Sequence, residues 1–306
     1  MYRAELSRIV SEISEQCSEL KTLGYFGCLQ ALDTLEFHVL DFIDQCEMDG
    51  EIEAIRRQAF QLHSDLSATA QDIVDSFMRE IRERRFDQHY LKQVFNQYAQ
   101  AGSNPLAGDA PDYDLFDDFL SHLLQIDFHP SETQARASEM LYLQHTPGRI
   151  ILDLVNGLPL TATDRFYDLG SGLGRVPIFV SLLTGAQTVG IEYEPTYVQY
   201  SRSSAAKLGV EQVDFRNLDV RDTDFSDGTI FYLYTPFNGS ILRGVLDRLQ
   251  ALAQIRPITI CSYGPITTAI ERELWLYPVR HEKGNINRLA IFSSVGSKLA
   301  RNQSPA

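Results

Sequence analysis

A chain of 306 residues with 44% hydrophobic content has room for one large or two ordinary domains and enough apolar material for a core. Its net charge of −14 is unevenly placed: residues 1–130 carry 10 basic and 24 acidic side chains, whereas residues 131–306 carry 17 of each. An acidic half without a Lys/Arg cluster argues against binding to a phosphate backbone, so nucleic acid, and chromatin with it, is excluded as the expected partner.

The first 100 residues read as helices. Leu6, Ile9, Ile13 and Cys17 recur at three- and four-residue steps, and the pattern resumes through Leu29, Leu32, Leu35, Phe37, Val39, Phe42 and Ile43. Ile52 to Leu62 predicts a third helix, Ile73 to Ile81 a fourth and Tyr90 to Tyr98 a fifth. Arg82, Arg84 and Arg85 alternate with Glu80 and Glu83 as a solvated face. Ala101 to Pro111 is rich in turn formers and reads as a linker or loop, followed by a short amphipathic helix from Leu115 to Ile126. The expected division is a helical domain over 1–126 and a second domain over 127–306. Cys17, Cys28, Cys46 and Cys261 have no partners at metal-ligand spacing, which predicts reduced thiols and a metal-free site. The start of the chain has no signal-peptide pattern and no run of 18 apolar residues occurs anywhere, so the expectation is a cytoplasmic protein that does not engage a membrane.

From Arg165 the pattern changes. Arg165 to Leu169 is an apolar run that carries a carboxylate, Asp168, near its end and opens into Gly170-Ser171-Gly172-Leu173-Gly174 before a helical stretch begins at Arg175. That is a strand, a tight turn and a helix N-terminus, the geometry of a ligand crevice at the carboxyl edge of a parallel sheet. A dinucleotide fingerprint wants a small residue where this chain has Arg175, and Asp168 would repel a pyrophosphate while attracting the ammonium of a methionine moiety. These details point to S-adenosylmethionine. Thr188 to Glu192 reads as a second strand whose terminal Glu192 suits the two ribose hydroxyls, and Pro195 to Leu208 as a helix. After a third strand, Gln212 to Asn217, Asp219 is placed to accept from the adenine amino group, with Val220 beside it. A fourth strand ends at Tyr234, Ser240 to Gln254 is helical, Pro257 to Tyr263 is a fifth strand, and Glu282-Lys283-Gly284-Asn285 marks a terminal hairpin.

From about Glu139 to Val295 the chain resembles the class I S-adenosylmethionine-dependent methyltransferases, through Asp168-Leu169-Gly170-Ser171-Gly172-Leu173-Gly174, Glu192, Asp219 and Tyr232-Leu233-Tyr234-Thr235-Pro236-Phe237. Within that class its wording is similar to the seven-stranded, non-SET histone-lysine methyltransferases. So is Tyr142 to Ile151, where that family places a loop and helix over the methionine end of the cofactor. The resemblance implies an α/β fold with a Rossmann-like seven-stranded sheet, closed by an antiparallel hairpin and preceded here by an all-α N-terminal domain. It also implies cofactor contacts from Tyr142, Thr146, Asp168, Gly170, Ser171, Gly172, Gly174, Glu192, Asp219, Val220 and Tyr234.

Methyl transfer needs few catalytic side chains, because the cofactor supplies the electrophile and the protein positions a nucleophile. Tyr234 and His145 are the catalytic candidates, one as a hydrogen-bonding group for the acceptor and the other as a base. Thr235, Pro236, Phe237 and Asn238 at the fourth strand end, with His281 beside the hairpin, are expected to line the substrate pocket. The chain has Tyr234-Thr235-Pro236-Phe237 where amino and amide methyltransferases carry Asn/Asp-Pro-Pro-Tyr/Phe, so the acceptor, small molecule or protein, is not specified. Neither is the oligomeric state. Two alternatives stay open: a protein lysine methyltransferase, and a non-catalytic S-adenosylmethionine-binding regulatory module. The helices of 1–126 are expected to roof the acceptor pocket near Tyr142 and Phe237, the plainer alternative being a separate docking or dimerisation domain.

Overall fold

The computed structural model describes residues 2–18, 20–102, 113–126 and 130–296. The chain divides into two compact units, Met1–Glu83 and Arg84–Ala306. In the first, α1 (Tyr2–Ser18) and α2 (Leu20–Leu35) pack on a 33-residue helix, α4 (Gly50–Arg82), with a π-helical segment (Glu36–Leu40) and the short α3 (Asp41–Ile43) between them. Asp49 caps α4 by accepting from the backbone N–H groups of Glu51 and Ile52, both at 3.0 Å. The buried face of α4 is Ile52, Ile55, Ala59, Leu62, Leu66, Ala70, Val74, Met78 and Ile81, one continuous stripe. The third and fourth predicted helices are therefore a single helix: no Gly or Pro interrupts 51–82, and Ala59 and Ala70 bridge the weakly apolar stretch.

The second unit contains a seven-stranded sheet of β1 (Arg165–Leu169), β2 (Gln187–Glu192), β3 (Val213–Asn217), β4 (Ile230–Tyr234), β5 (Thr259–Tyr263), β6 (Tyr277–Arg280) and β7 (Ala290–Ser293). Its order is β3-β2-β1-β4-β5-β7-β6, parallel except for β7, which is antiparallel to both neighbours. The longer helices between strands are α8 (Arg175–Thr184), α9 (Pro195–Leu208) and α10 (Gly239–Ile255). The order reverses between β1 and β4, and in open α/β sheets the ligand crevice lies at that switch point, outside the carboxyl ends of the strands. Register places Asp168 beside Gly190 and Glu192 beside Asn217, so the loops after β1, β2 and β4 all open on one edge. Beneath them Tyr167, Leu169, Val189, Ile191, Phe231, Leu233, Ile241 and Val245 form the core.

Three further helices, α5 (Gln88–Ala101), α6 (Leu115–Leu124) and α7 (Gly148–Gly157), pack against α8 and α9. Phe95 of α5 meets Phe116 and Phe119 of α6 and Phe179 of α8 at centroid distances of 5.6–6.2 Å. Asp117 of α6 is buried against Arg175, Nη2 to Oδ1 2.6 Å, and the same carboxylate oxygen accepts the Gly148 N–H at 2.9 Å. Burial opposes both charges, pushing the Asp117 carboxyl up and the Arg175 guanidinium down, and their contact offsets it. The expected boundary at 126 therefore moves to Glu83/Arg84, because α5 and α6 complete the core around α8. These two helices cover α7, α8 and α9 and are not the roof of the strand edge. The predicted loop over 101–111 lies mostly outside the described residues.

Candidate active site

β1 delivers Asp168 to the sheet edge and the chain then turns through Gly170, Ser171 and Gly172. The Gly170 and Ser171 N–H groups both donate to the Ile191 carbonyl at 2.9 Å, which locks the turn to β2. At Gly172, with φ at 52°, a Cβ would lie 2.3 Å from Leu143 Cδ1; at Gly170, with φ at 98°, it would lie 2.3 Å from Pro236 Cβ. Both positions combine left-handed backbone with contact against other segments, which only glycine permits. Glu192 joins the turn to the end of β2: its carboxylate accepts from Gly172 N–H at 2.8 Å and Glu194 N–H at 2.9 Å.

Asp168 is 3% exposed, and burial, followed by the neighbouring charge of Glu192, pushes its carboxyl well above the usual range. Burial also raises Glu192, against the lowering effect of the Glu194, Gly172 and Tyr193 N–H groups. Among the described residues no Lys or Arg pairs with either carboxylate. Two neighbouring acids without a cation fit a ligand that brings an ammonium to one and hydroxyl donors to the other, which is the polar complement of an S-adenosylmethionine molecule.

Beside them lies a cleft of ≈ 760 Å³, open mouth included. Its floor is Gly170, Ile191, Glu192, Tyr193, Leu218 and Val220, and one wall is Tyr234, Thr235, Pro236 and Phe237 at the end of β4. Its cover is the irregular segment 130–146, which contributes Glu132, Arg136 and Met140 to Gln144. Two carboxylates pin that cover. Glu194 accepts from Thr133 N–H and Oγ1–H, Gln134 N–H, and Thr196 N–H and Oγ1–H at 2.8–3.1 Å. Burial works to raise this carboxyl, but the hydrogen bonds outweigh it and hold the pKa at about 2. Glu139 accepts from Ser240 N–H at 2.8 Å, Ser240 Oγ–H at 2.7 Å and Ile241 N–H at 3.1 Å, capping α10. Backbone bonds Leu141 N–H to Pro236 O and Asn238 N–H to Glu139 O complete the attachment, and Leu143 reaches over Gly172.

The expected residues divide accordingly. Tyr142, Gly170, Glu192, Val220, Tyr234, Thr235, Pro236 and Phe237 line the cleft, and Asp168, Ser171, Gly172 and Gly174 form the turn behind it. Tyr142 is 79% exposed, its ring under the Arg136 guanidinium at 3.5 Å. Tyr234 donates to Gln144 Oε1 at 3.4 Å and packs on Tyr263; burial raises its hydroxyl above the ordinary value, which suits a neutral hydrogen-bond donor and not a base. Thr235 holds a left-handed φ of 42°, a strained value for a β-branched residue and one that turns the chain sharply out of β4.

Five expectations sit elsewhere. Asp219 caps its own turn through Arg221 N–H at 2.9 Å and grips the Arg221 guanidinium at 2.6 and 3.0 Å, so its carboxylate is engaged locally and Leu218 and Val220 line the cleft instead. Thr146 is buried and bonded to the Tyr232 hydroxyl at 3.0 Å, beneath the cleft. His145 is half-buried outside the lining, its carbonyl accepting from the Tyr113 hydroxyl. Asn238 is exposed at the start of α10. His281 packs on Phe292 at 5.1 Å, near the outer edge of the sheet and away from β4, 3.7 Å from Glu271. Sequence reasoning missed Glu132, Arg136, Tyr193, Glu194 and Tyr197; Glu194-Pro195 at a helix start was a readable capping signal, whereas its partners lie about sixty residues upstream.

Sheet order, glycine turn and paired acids define a class I S-adenosylmethionine-dependent methyltransferase. Residues 136–228 match the family model described as "Histone methylation protein DOT1", from the cover through the turn before β4. Among solved structures, an RNA methyltransferase from Salinibacter ruber in complex with S-adenosyl-L-homocysteine is 26% identical, covering 49% of this chain and 92% of its own, with a TM-score of 0.38. A SAM-dependent methyltransferase from Thiobacillus denitrificans, also with S-adenosyl-L-homocysteine, is 25% identical over 41% of this chain and 51% of its own, with a TM-score of 0.33. At those TM-scores the assignment rests on the family match and on the site itself.

Proposed function

We propose that the cleft transfers a methyl group from S-adenosylmethionine to an acceptor that enters between Tyr142 on the cover and Phe237 on the β4 wall. The observation that carries this reading is the pair of cation-free carboxylates, Asp168 buried and Glu192 half-buried, at the switch point of the sheet. The bound cofactor supplies a methyl on a sulfonium that a nucleophile displaces in line. Asp168 would hold the ammonium of the bound cofactor and Glu192 its ribose hydroxyls, so that both ends of the ligand are oriented by this chain's own side chains. Tyr234 donates a hydrogen bond to the acceptor, Phe237 forms an apolar wall, and the pinned cover keeps water out of the cleft.

A second reading of the acceptor, a lysine side chain of a protein, is favoured by the family match over 136–228 and by the acidity of residues 1–130, which suits a basic partner. The same acidity supports a protein or small-molecule acceptor over nucleic acid. Cytoplasmic placement belongs to this proposal; within the described residues no helix is long and apolar enough to cross a membrane. Incubation with radiolabelled cofactor and a lysate separated into protein, nucleic-acid and small-molecule fractions tests it. Label is expected in protein or small molecules. Tight S-adenosylhomocysteine binding with no transfer to any fraction would instead favour a non-catalytic module.

A further inference from the structure

Arg136 is a cation in the cleft that the cofactor reading leaves unused. It lies on the cover, lines the cleft and is held on two sides. Its Nε lies 2.9 Å from Glu132 Oε2 in an ion pair, and Glu132 in turn accepts from the Tyr197 hydroxyl at 3.0 Å. Its guanidinium lies 3.5 Å from the centre of the Tyr142 ring, which fixes the plane of the fork. Yet Nη1 is buried and has no hydrogen-bond partner. A charged donor withdrawn from water with nothing to receive it is an unusual expense in a folded protein, and it marks a place where a ligand atom completes the arrangement.

We infer that Arg136 is the anion-holding residue of this cleft and that it takes a carboxylate. The planar fork matches a carboxylate with parallel N–H bonds. A doubly charged phosphate is disfavoured, because Glu132, Glu192 and Glu194 line the same cleft. Two molecules can bring the carboxylate: the aminoacyl end of the cofactor or the acceptor. If it is the cofactor, Arg136 and Asp168 grip opposite charges of one amino-acid group. If it is the acceptor, Arg136 sets substrate specificity from the cover. The inference rests on the methyltransferase reading, and its test separates the two.

Wild-type protein, Arg136→Gln and Arg136→Lys are titrated calorimetrically with S-adenosylhomocysteine and with the analogue in which the carboxylate is a carboxamide. S-adenosylhomocysteine-saturated protein is then titrated with N-acetylglycine, followed by NMR. A cofactor carboxylate predicts that wild type prefers S-adenosylhomocysteine over the carboxamide by roughly 10- to 100-fold, that Arg136→Gln loses the preference, and that Arg136→Lys, with charge but no fork, keeps part of it. An acceptor carboxylate predicts equal S-adenosylhomocysteine affinity in all three proteins and saturable N-acetylglycine shifts in wild type that Arg136→Gln abolishes. Thermal midpoints of both variants close to wild type show that the cover is intact. S-adenosylhomocysteine binding by wild type with no effect of Arg136 in either arm overturns the inference, whereas no S-adenosylhomocysteine binding by wild type overturns the cofactor reading beneath it.

Discussion

A pair of carboxylates serves the floor of the cleft and another pair fastens the segment that covers it, and the pairs are satisfied in opposite ways. On the cover side, Glu194 and Glu139 are surrounded by donors, five for one and three for the other, and both are held below the ordinary glutamate value. At the floor, Glu192 and, in the turn behind it, Asp168 are pushed up by burial. A carboxylate whose hydrogen bonds are complete holds structure, whereas one that burial has raised and no cation has compensated is a demand on a ligand. The chemical group is the same, and what differs is how far the neighbouring chain supplies donors: five and three on the cover side, against the Gly172 and Glu194 N–H groups for Glu192.

The largest effect expected from breaking this contrast is on the floor. Asp168→Asn and Glu192→Ala should each lower S-adenosylhomocysteine affinity by roughly 10- to 150-fold in calorimetric titration, the range for one hydrogen bond to a charged group. Asp168→Asn should also raise the melting temperature of the ligand-free protein, since it removes a buried charge. The sign with pH agrees: a carboxyl raised by folding binds more protons in the native state, so ligand-free stability falls as pH rises from 3.8 toward its folded value. Cofactor affinity moves the other way, rising with pH as Asp168 and Glu192 ionise. Destabilisation by Asp168→Asn would place Asp168 with the structural pair.

The next largest effect belongs to the cover. Glu194→Ala removes five accepted hydrogen bonds and should cost about 2–3 kcal/mol in denaturant unfolding, with faster amide exchange at Thr133 and Gln134. Its low folded pKa makes the same attachment acid-sensitive: its contribution is complete above 4.5 and is lost as pH falls toward about 2. Exchange at Thr133 and Gln134 that is flat across that interval would remove Glu194 from its role. Gly172→Ala should cost about 1–2 kcal/mol for a left-handed alanine, and displacement of Leu143 should register as weaker cofactor binding. The smallest effect is Asp219→Ala, less than about threefold on affinity, because that carboxylate serves Arg221. A loss as large as that of Glu192→Ala would restore Asp219 to the adenine.

Much of the second unit is legible in the sequence because its signals are local. Alternation of apolar runs with helical periods gives β1 to β5 and the hairpin nearly in place, and the glycine turn after Asp168 announces the crevice. Asp219 misleads for a local reason too: strand-end position suggests a ligand, yet an arginine two residues later captures the side chain. What the sequence hides is the cover. Residues 130–146 have no period to read, and Glu194, Glu139 and Arg136 acquire meaning only from the segments folded against them. The histidines fail similarly, since proximity along the chain to Tyr142 or to the hairpin says little about which face of the edge a ring will meet.

The buried contact between Arg175 and Asp117 decides where this chain can be divided. A fragment covering 127–306 would strip Arg175, at the base of the helix that follows the glycine turn, of its carboxylate and leave the Gly148 N–H at the start of α7 without an acceptor. Breaking such a pair costs about 3–5 kcal/mol, against a total stability of about 5–15 kcal/mol for an ordinary domain. A fragment that begins at Arg84 keeps both partners and the aromatic cluster around Phe95. Position 175, which separates this turn from a dinucleotide fingerprint, also makes α6 an inseparable part of the smallest piece able to hold the cofactor.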